Sequence, residues 1–320
     1  MTALTSLAAI EDAAARIRAT ATRTPLIDVS WQADRHLLLK CENLQVAGAF
    51  KIRGAFNMIA KLPANARRRG VITYSSGNHA QAVAYAAKSL GISAVVVMPT
   101  TAPAIKIERT RGYGAEVLFK GTTSIERRSL AEDEALARGL TIVPPFDHPD
   151  IIAGQGTVGR EILEDAASLD RVYVPIGGGG LIAGVAAAIK QTRSTIKVIG
   201  VEPAGAATMS ASLTAGHPVT LDSVSSVADG LLPIRPGDLT FAHVQAFVDD
   251  VVTVDDVAIT RAVGWLFRRG KLVVEPSGAA TVAAILFADT AHDGVTAAVL
   301  SGGNVSLEAL SKLVAGAGVD

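Results

Sequence analysis

Aromatic residues make up only 4% of this 320-residue sequence, cysteine occurs once, and the charges cancel. A single thiol, Cys41, leaves no intrachain disulfide, which fits a reducing, cytoplasmic setting. With 30 Lys and Arg against 30 Asp and Glu, the formal net charge is zero, so the composition carries no electrostatic footprint for nucleic acid or an anionic membrane. The six histidines are scattered, with no HxxxH pair and no Cys/His cluster, which argues against zinc. The N-terminus lacks a basic segment followed by an apolar one, and Glu11 and Asp12 interrupt it early, so no signal peptide is read there. One uncharged run, residues 172–189, is long enough to cross a bilayer. Pro175 and the glycines after it divide that run into strand, turn and helix instead.

What the sequence does have is aliphatic residues, alanine and 30 glycines. That mix suits buried parallel strands and closely packed helices. Short apolar runs predict strands at 37–40, 71–74, 94–98, 115–119, 141–143, 172–176, 198–201 and 295–300. Helical spacing predicts helices up to about residue 20, from Phe50, from Asn78 to Gly91, at 104–111, 123–138 and 157–169, from Leu181, after Glu202, at 255–269 and from Ser277. Strand and helix alternate, which predicts an α/β fold of two doubly wound, mostly parallel-sheet domains. Residues 70–146 read as a small unit inserted between the two parts, 1–69 and 147–320, of a larger one.

Four segments carry chemistry. Lys51 stands where a polar turn gives way to helical spacing, with Phe50 before it. A lysine held there can present its amine to a pocket and form a Schiff base with an aldehyde cofactor, although a lysine at a helix start is ordinarily a solvated charge. Gly177, Gly178, Gly179 and Gly180 follow a strand and open a helix, a place where backbone N–H groups and the helix dipole favour a phosphate. Gly178, Gly180 and Ala183 also satisfy the dinucleotide pattern GxGxxA, with Glu202 placed as the ribose acid, so an NAD-dependent oxidoreductase is an alternative. A tight turn with no ligand is another. Ser75, Ser76, Gly77, Asn78 and His79 again join a strand end to a helix start. Their small polar groups suit a carboxylate; Asn78 reads as an N-cap, and His79 equally as a buried core histidine. Ser301, Gly302, Gly303 and Asn304 follow the last strand, at the crevice where α/β ligands bind.

Taken together and in this order, the segments resemble the pyridoxal-phosphate enzymes of fold type II, and within them the short threonine/serine dehydratase and serine racemase group. KCENLQVAGAFKIRGA is similar to the lysine motif, SSGNHAQA to the substrate-carboxylate loop, GGGG to the phosphate cup and SGGN to the ring-nitrogen segment; VADGLLPIRPGDLTF and VVEPSGAA also resemble that group. The resemblance implies pyridoxal 5'-phosphate held in the cleft between two domains, linked to Lys51, beside Phe50. It implies Asn78 at the phenolic oxygen, Gly177, Gly178, Gly179, Gly180 and Leu181 at the phosphate, and Ser301 at the ring nitrogen. Ser75, Ser76, Gly77, Asn78 and His79 would receive the substrate carboxylate, and 75–146 would form a mobile lid. The implied reaction is loss of water from a small β-hydroxy amino acid, with Lys51 as base, giving a 2-oxo acid and ammonia. Amino-acid racemisation, with Ser76 as the second acid/base, is the alternative on the same site. The resemblance also implies a homodimer. Metal-activated relatives bind Mg²⁺ or Ca²⁺ through residues to which Glu202 and Ala206 correspond, although Thr208 stands where their third ligand, an Asp, belongs. Ala49 departs from the Ser usual in the lysine motif. With Asp320 as the last residue, no appended effector domain, and so no isoleucine feedback, is expected.

Overall fold

The computed structural model describes residues 3–75, 77–288 and 293–318. Ten strands form two sheets: β1 (Leu26–Asp28), β2 (Leu37–Lys40), β3 (Val71–Tyr74), β4 (Ala94–Met98), β5 (Glu116–Phe119), β6 (Thr141–Ile142), β7 (Arg171–Pro175), β8 (Lys197–Pro203), β9 (Asp250–Val254) and β10 (Thr296–Val299). The larger sheet runs β1-β2-β10-β7-β8-β9 and the smaller β5-β4-β3-β6. All neighbours are parallel except the edge pair β1 and β2. Helices cover both sheets, so the α/β expectation of mostly parallel sheets holds. Every residue of β4 is buried, as a parallel strand packed on both faces requires.

Register decides which loops meet. Val299 of β10 lies opposite Lys40 of β2, and Ala298 opposite Tyr173 of β7. The chain therefore leaves these three neighbouring strands side by side, and the ends lead into Lys51, Ser301 and the four glycines. Phe50 N–H donates to Ser301 O at 3.1 Å, and Ala49 pairs with Gly302 in an antiparallel bridge.

The helices that carry the site are locked to one central helix, Pro149–Asp165. A Cβ on Gly184, in helix Gly180–Thr192, would lie 2.3 Å from Ile152 O and 2.4 Å from Gly156 N. On the other side, a Cβ on Gly154 would lie 2.6 Å from Gly54 Cα, in helix Lys51–Lys61. Side chains normally keep helix axes about 8–10 Å apart; here backbone rests on backbone at both crossings. The helix after Lys51 and the helix after the glycines are thus fixed to the same rod.

Helical spacing in the sequence predicts this rod at 157–169. Its glycines at 154, 156 and 159 weaken the local helical signal by about 1 kcal/mol each, but those same glycines make the two crossings possible. Pro149 at the first helical position and the His148 ring, which accepts from Asp150 N–H, start the helix earlier. The three-residue β1, β9 and helix Asp238–Phe247 have no counterpart among the sequence expectations. The helix Asp238–Phe247 is capped by Asp147, whose carboxylate accepts from the N–H groups of Asp238, Leu239 and Thr240 at 3.0–3.1 Å.

Beneath Lys51 lies a buried ionic cluster. Arg53 pairs with Glu42 at 2.7 Å and with Glu161 at 2.7 Å, and Lys40 pairs with Glu161 at 2.6 Å. It joins β2, the turn after it, the Lys51 helix and the central helix.

Candidate active site

Lys51 is the first residue of its helix, capped by Phe50. Its Nζ donates to Pro145 O at 2.7 Å and lies 5.0 Å from the centre of the Phe50 ring. No carboxylate pairs with it among the described residues. Burial without a counter-charge pushes the amine down to about 8, so a neutral, nucleophilic fraction exists near neutral pH.

Pro145 leads to Phe146, which touches the glycine loop: a Cβ on Gly178 would lie 2.2 Å from Phe146 Cδ1. Gly179 has φ +92, a conformation that favours glycine. The Gly178 carbonyl accepts from Thr240 Oγ1 at 2.7 Å, which turns it away from the cleft. By contrast, none of the backbone N–H groups of Gly177, Gly178, Gly179, Gly180 and Leu181 donates to an acceptor among the described residues. Gly178, Gly179, Gly180 and Leu181 are buried. Unpaired buried N–H groups are rare, and five unpaired N–H groups in a row at a helix N-terminus, four of them on buried residues, form an anion cradle.

The third wall comes from the other strand ends. Gly77 caps helix Asn78–Ser89, and Asn78 is its first residue rather than its cap. The Asn78 amide instead bonds across the cleft: Nδ2 donates to Glu275 Oε1 at 2.7 Å, and Oδ1 accepts from Asn304 Nδ2 at 2.9 Å. Ser75 Oγ accepts from Gly77 N–H at 3.3 Å. Ser76 lies outside the described residues. His79 is buried, with Nε2 3.0 Å from Val143 O and Nδ1 unpartnered. Burial, and then the nearby Lys51 charge, depress it to about 3 against the pull of the Val143 carbonyl, so it is neutral. Ser301 is buried, with Oγ 3.4 Å from Ser277 O.

Glu202 and Ala206 stand apart from this group. Glu202 is fully buried, and its carboxylate accepts from Met209 N–H at 2.7 Å, Ser210 N–H at 2.9 Å and Ser210 Oγ at 2.7 Å. It anchors the start of helix Thr208–Ala215, and Ala206 ends the short turn before it. A divalent ion there would have to displace those donors. Among the described residues no three His, Cys, Asp or Glu side chains gather as a ligand set. The same bonds leave Glu202 without a free oxygen for a ribose, which removes the acid on which the dinucleotide alternative depended.

Sequence reasoning marks Lys51, Asn78, the glycines and Ser301, and the structure brings all four to one cleft, in contact or one residue apart. It misses Glu275, Thr240, Asp147 and Phe146. Each acts through a partner distant in sequence; the VVEPSGAA motif contains Glu275 and the VADGLLPIRPGDLTF motif contains Thr240, while Asp147 and Phe146 lie in no motif.

The comparisons agree with this geometry. A biosynthetic L-threonine dehydratase of Pasteurella multocida is 44% identical over 293 residues, covering 90% of this chain and 57% of that protein. This chain thus spans little more than half the length of such relatives. An L-threo-3-hydroxyaspartate ammonia-lyase of Saccharomyces cerevisiae is 39% identical over 309 residues, covering 95% of both. Among solved structures, that of maize serine racemase superposes with a TM-score of 0.92 at 39% identity, over 97% of each chain. A family match runs over residues 17–302, from the end of the first helix to the Gly302 that bridges to Ala49, and so this chain belongs to the pyridoxal-phosphate dependent enzymes.

Proposed function

We propose that this protein eliminates water from a small β-hydroxy amino acid and so yields a 2-oxo acid and ammonia. The observation that carries the reading is Lys51: an amine brought to about 8 by burial, and joined through Pro145 and Phe146 to an anion cradle. The five N–H groups from Gly177 to Leu181 would hold the cofactor's phosphate. Lys51 would take its aldehyde, Asn78 its phenolic oxygen and Ser301 its ring nitrogen, with Phe50 alongside. Once bound, the cofactor supplies an electron sink for the charge that develops at the substrate's Cα.

Lys51 Nζ, neutral, removes the Cα proton. Ser75, with the N–H groups that open helix Asn78–Ser89, receives the α-carboxylate and points the Cα–H bond at that amine. Ser301 offers the ring nitrogen a neutral hydroxyl where a carboxylate would enforce protonation. Charge at Cα is then shallowly stabilised, which favours prompt departure of the β-hydroxyl; it takes up a proton and leaves as water. The released enamine then takes up water and gives the 2-oxo acid and ammonia. Burial of His79 and of the glycine loop keeps water from the reacting carbon.

Residues 70–146 would close over the substrate as a unit. The contacts between this unit and the rest of the chain that would break on opening include Asn78–Glu275 at 2.7 Å, Asn78–Asn304 at 2.9 Å, Lys106–Asp229 at 3.1 Å and Arg109–Asn304 at 3.5 Å. The test uses protein loaded with pyridoxal phosphate, given L-threonine, L-serine or L-threo-3-hydroxyaspartate, with 2-oxo acid release measured. Release from one of them is expected; release from none sinks the elimination reading. The likeness to maize serine racemase favours a second reading, racemisation. D-serine formed from L-serine, and lost in Ser76→Ala, would establish it.

A homodimer fits the surface. Leu44, Phe267 and Val273 are exposed, and Asn43 Nδ2 bonds Val273 O at 3.1 Å, which places Leu44 beside Val273. Val273→Glu is expected to shift the sedimenting species to half its mass; a wild type that already sediments as a monomer refutes the dimer. Among the described residues no helix is long and apolar enough to cross a membrane.

A further inference from the structure

Glu275 takes no part in the scheme above, yet its surroundings are built around it. It is the N-cap of helix Pro276–Phe287, the position where an acidic side chain ordinarily accepts from its own helix. It makes no such bond. It is 5% exposed, and its Oε1 reaches instead to Asn78 Nδ2 at 2.7 Å. A Cβ on Gly302 would lie 2.5 Å from the same oxygen, so the segment that carries Ser301 packs directly against this carboxylate.

The other end of the Asn78 amide is fixed with equal economy. Asn304 Nδ2 donates both to Ala47 O at 2.8 Å and to Asn78 Oδ1 at 2.9 Å. A carbonyl can only accept, so Ala47, held at φ +60, dictates that Asn304 presents its NH₂. Asn304 in turn dictates that Asn78 presents its oxygen there and its NH₂ to Glu275. Rotating the Asn78 amide by half a turn would set oxygen against carboxylate and NH₂ against NH₂. One Nδ2–H of Asn78 remains uncommitted.

We propose that Glu275 is a positioning residue, which with Asn304 and Ala47 holds the Asn78 amide so that its free N–H points at the cofactor's phenolic oxygen. The inference rests on the cofactor placement of the preceding subsection. Burial, and then the charge of Asp229, push the Glu275 carboxyl up to about 7, opposed by the Asn78 bond, by the Lys106 ammonium and by a bond from the Asn304 backbone N–H. When Glu275 takes a proton it can donate to an amide oxygen as well as accept from an amide N–H, so it no longer discriminates between the two ends of Asn78, and the lock weakens. Asp229 and Lys106, paired at 3.1 Å, are the charged groups that face it.

The test reads the visible absorption of the bound cofactor and its affinity, across pH 5 to 9, in the wild type, Glu275→Gln and Glu275→Ala. Glutamine keeps an acceptor oxygen for Asn78. It should leave the band and the affinity within about twofold of wild type and remove the titration step near neutral pH. Alanine should shift the band and weaken cofactor binding about tenfold, the scale of one buried hydrogen bond. If Glu275→Ala does not fold, the glutamine variant alone decides by its titration. A glutamine variant that titrates as the wild type does, or an alanine variant with an unchanged band and affinity, overturns the proposal. A wild type that binds no pyridoxal phosphate overturns the cofactor placement and this inference together.

Discussion

Lys51→Ala should lose turnover by about a thousandfold or more, the scale of a general base together with the covalent tether, while the protein becomes no less stable. The side chain makes one hydrogen bond, to Pro145 O, and no ion pair, and alanine is the better helix former at the first position of a helix. The sign of the stability change follows from the lowered amine. The folded protein gives up the Lys51 proton at about pH 8, whereas the unfolded chain keeps it to the ordinary lysine value near 10.5. Between those values the unfolded state binds more protons, so the wild type gains stability as pH rises, and below about 8 it carries a penalty that alanine lacks. Without cofactor, the Lys51→Ala variant should therefore melt above the wild type at pH 7 and approach it at high pH. Cofactor uptake by the wild type should quicken as pH rises through about 8, because only the unprotonated amine attacks an aldehyde. Borohydride should fix the cofactor to the wild type, seen as a gain in intact mass, and not to Lys51→Ala or Lys51→Arg. A Lys51→Ala variant that keeps a tenth of the turnover would remove Lys51 from the reaction.

The parts of the molecule legible in the sequence are those whose signal is local. Strands β2, β3 and β4 match the predicted runs residue for residue, because a short, mostly apolar and mostly buried run between two turns marks a strand by itself. The glycine loop and Ser301 each sit at the end of such a run, and Lys51 at the change from polar turn to helical spacing after β2, so their placement follows. The central helix Pro149–Asp165 is misplaced by its sequence signal because three of its residues serve neighbouring helices instead of their own. Asn78 reads as a cap on sequence grounds and is not one, since its amide answers to Glu275 and Asn304, 197 and 226 positions away. Helix Asp238–Phe247 begins on Gly237, with its capping carboxylate at Asp147. Nothing within a few residues of these positions encodes that pairing. It exists only once the register of β10 against β2 and β7 has brought the strand ends together.

Arg53→Met should be the most damaging single change to stability, at about 3–5 kcal/mol, a large share of the roughly 5–15 kcal/mol that holds a typical protein folded. Arg53 is fully buried and uses its whole fork: Nε and Nη2 to Glu42 at 2.8 and 2.7 Å, Nη1 and Nη2 to Glu161 at 2.7 and 2.9 Å, and Nη1 to Thr157 Oγ1 at 3.0 Å. Lys40 holds Glu161 from the other side at 2.6 Å and is itself bonded to Thr24 O. Glu161 therefore keeps a cation when Arg53 is removed, whereas Glu42, with no exposure, keeps only hydroxyl and amide donors from Thr24 and Gln45. The damage is the cost of that stranded carboxylate more than the value of the pair. Neutralising it should repair the loss, so Glu42→Gln added to Arg53→Met is expected to recover more than half. The two single variants should thus be strongly non-additive. Burial alone would raise the Glu42 carboxyl; the charge and bonds of Arg53, helped by Thr24, outweigh burial and hold it below its usual range. In the wild type that depressed value contributes stability above the ordinary glutamate pKa, and the contribution is lost as pH falls through the folded one. In Arg53→Met the buried carboxylate takes up a proton readily, so the gap between variant and wild type should narrow as pH drops toward about 4. Urea midpoints near the ordinary glutamate pKa and near neutrality measure this directly. A gap that does not narrow would mean the loss comes from packing, and a double variant no better than Arg53→Met would say the same.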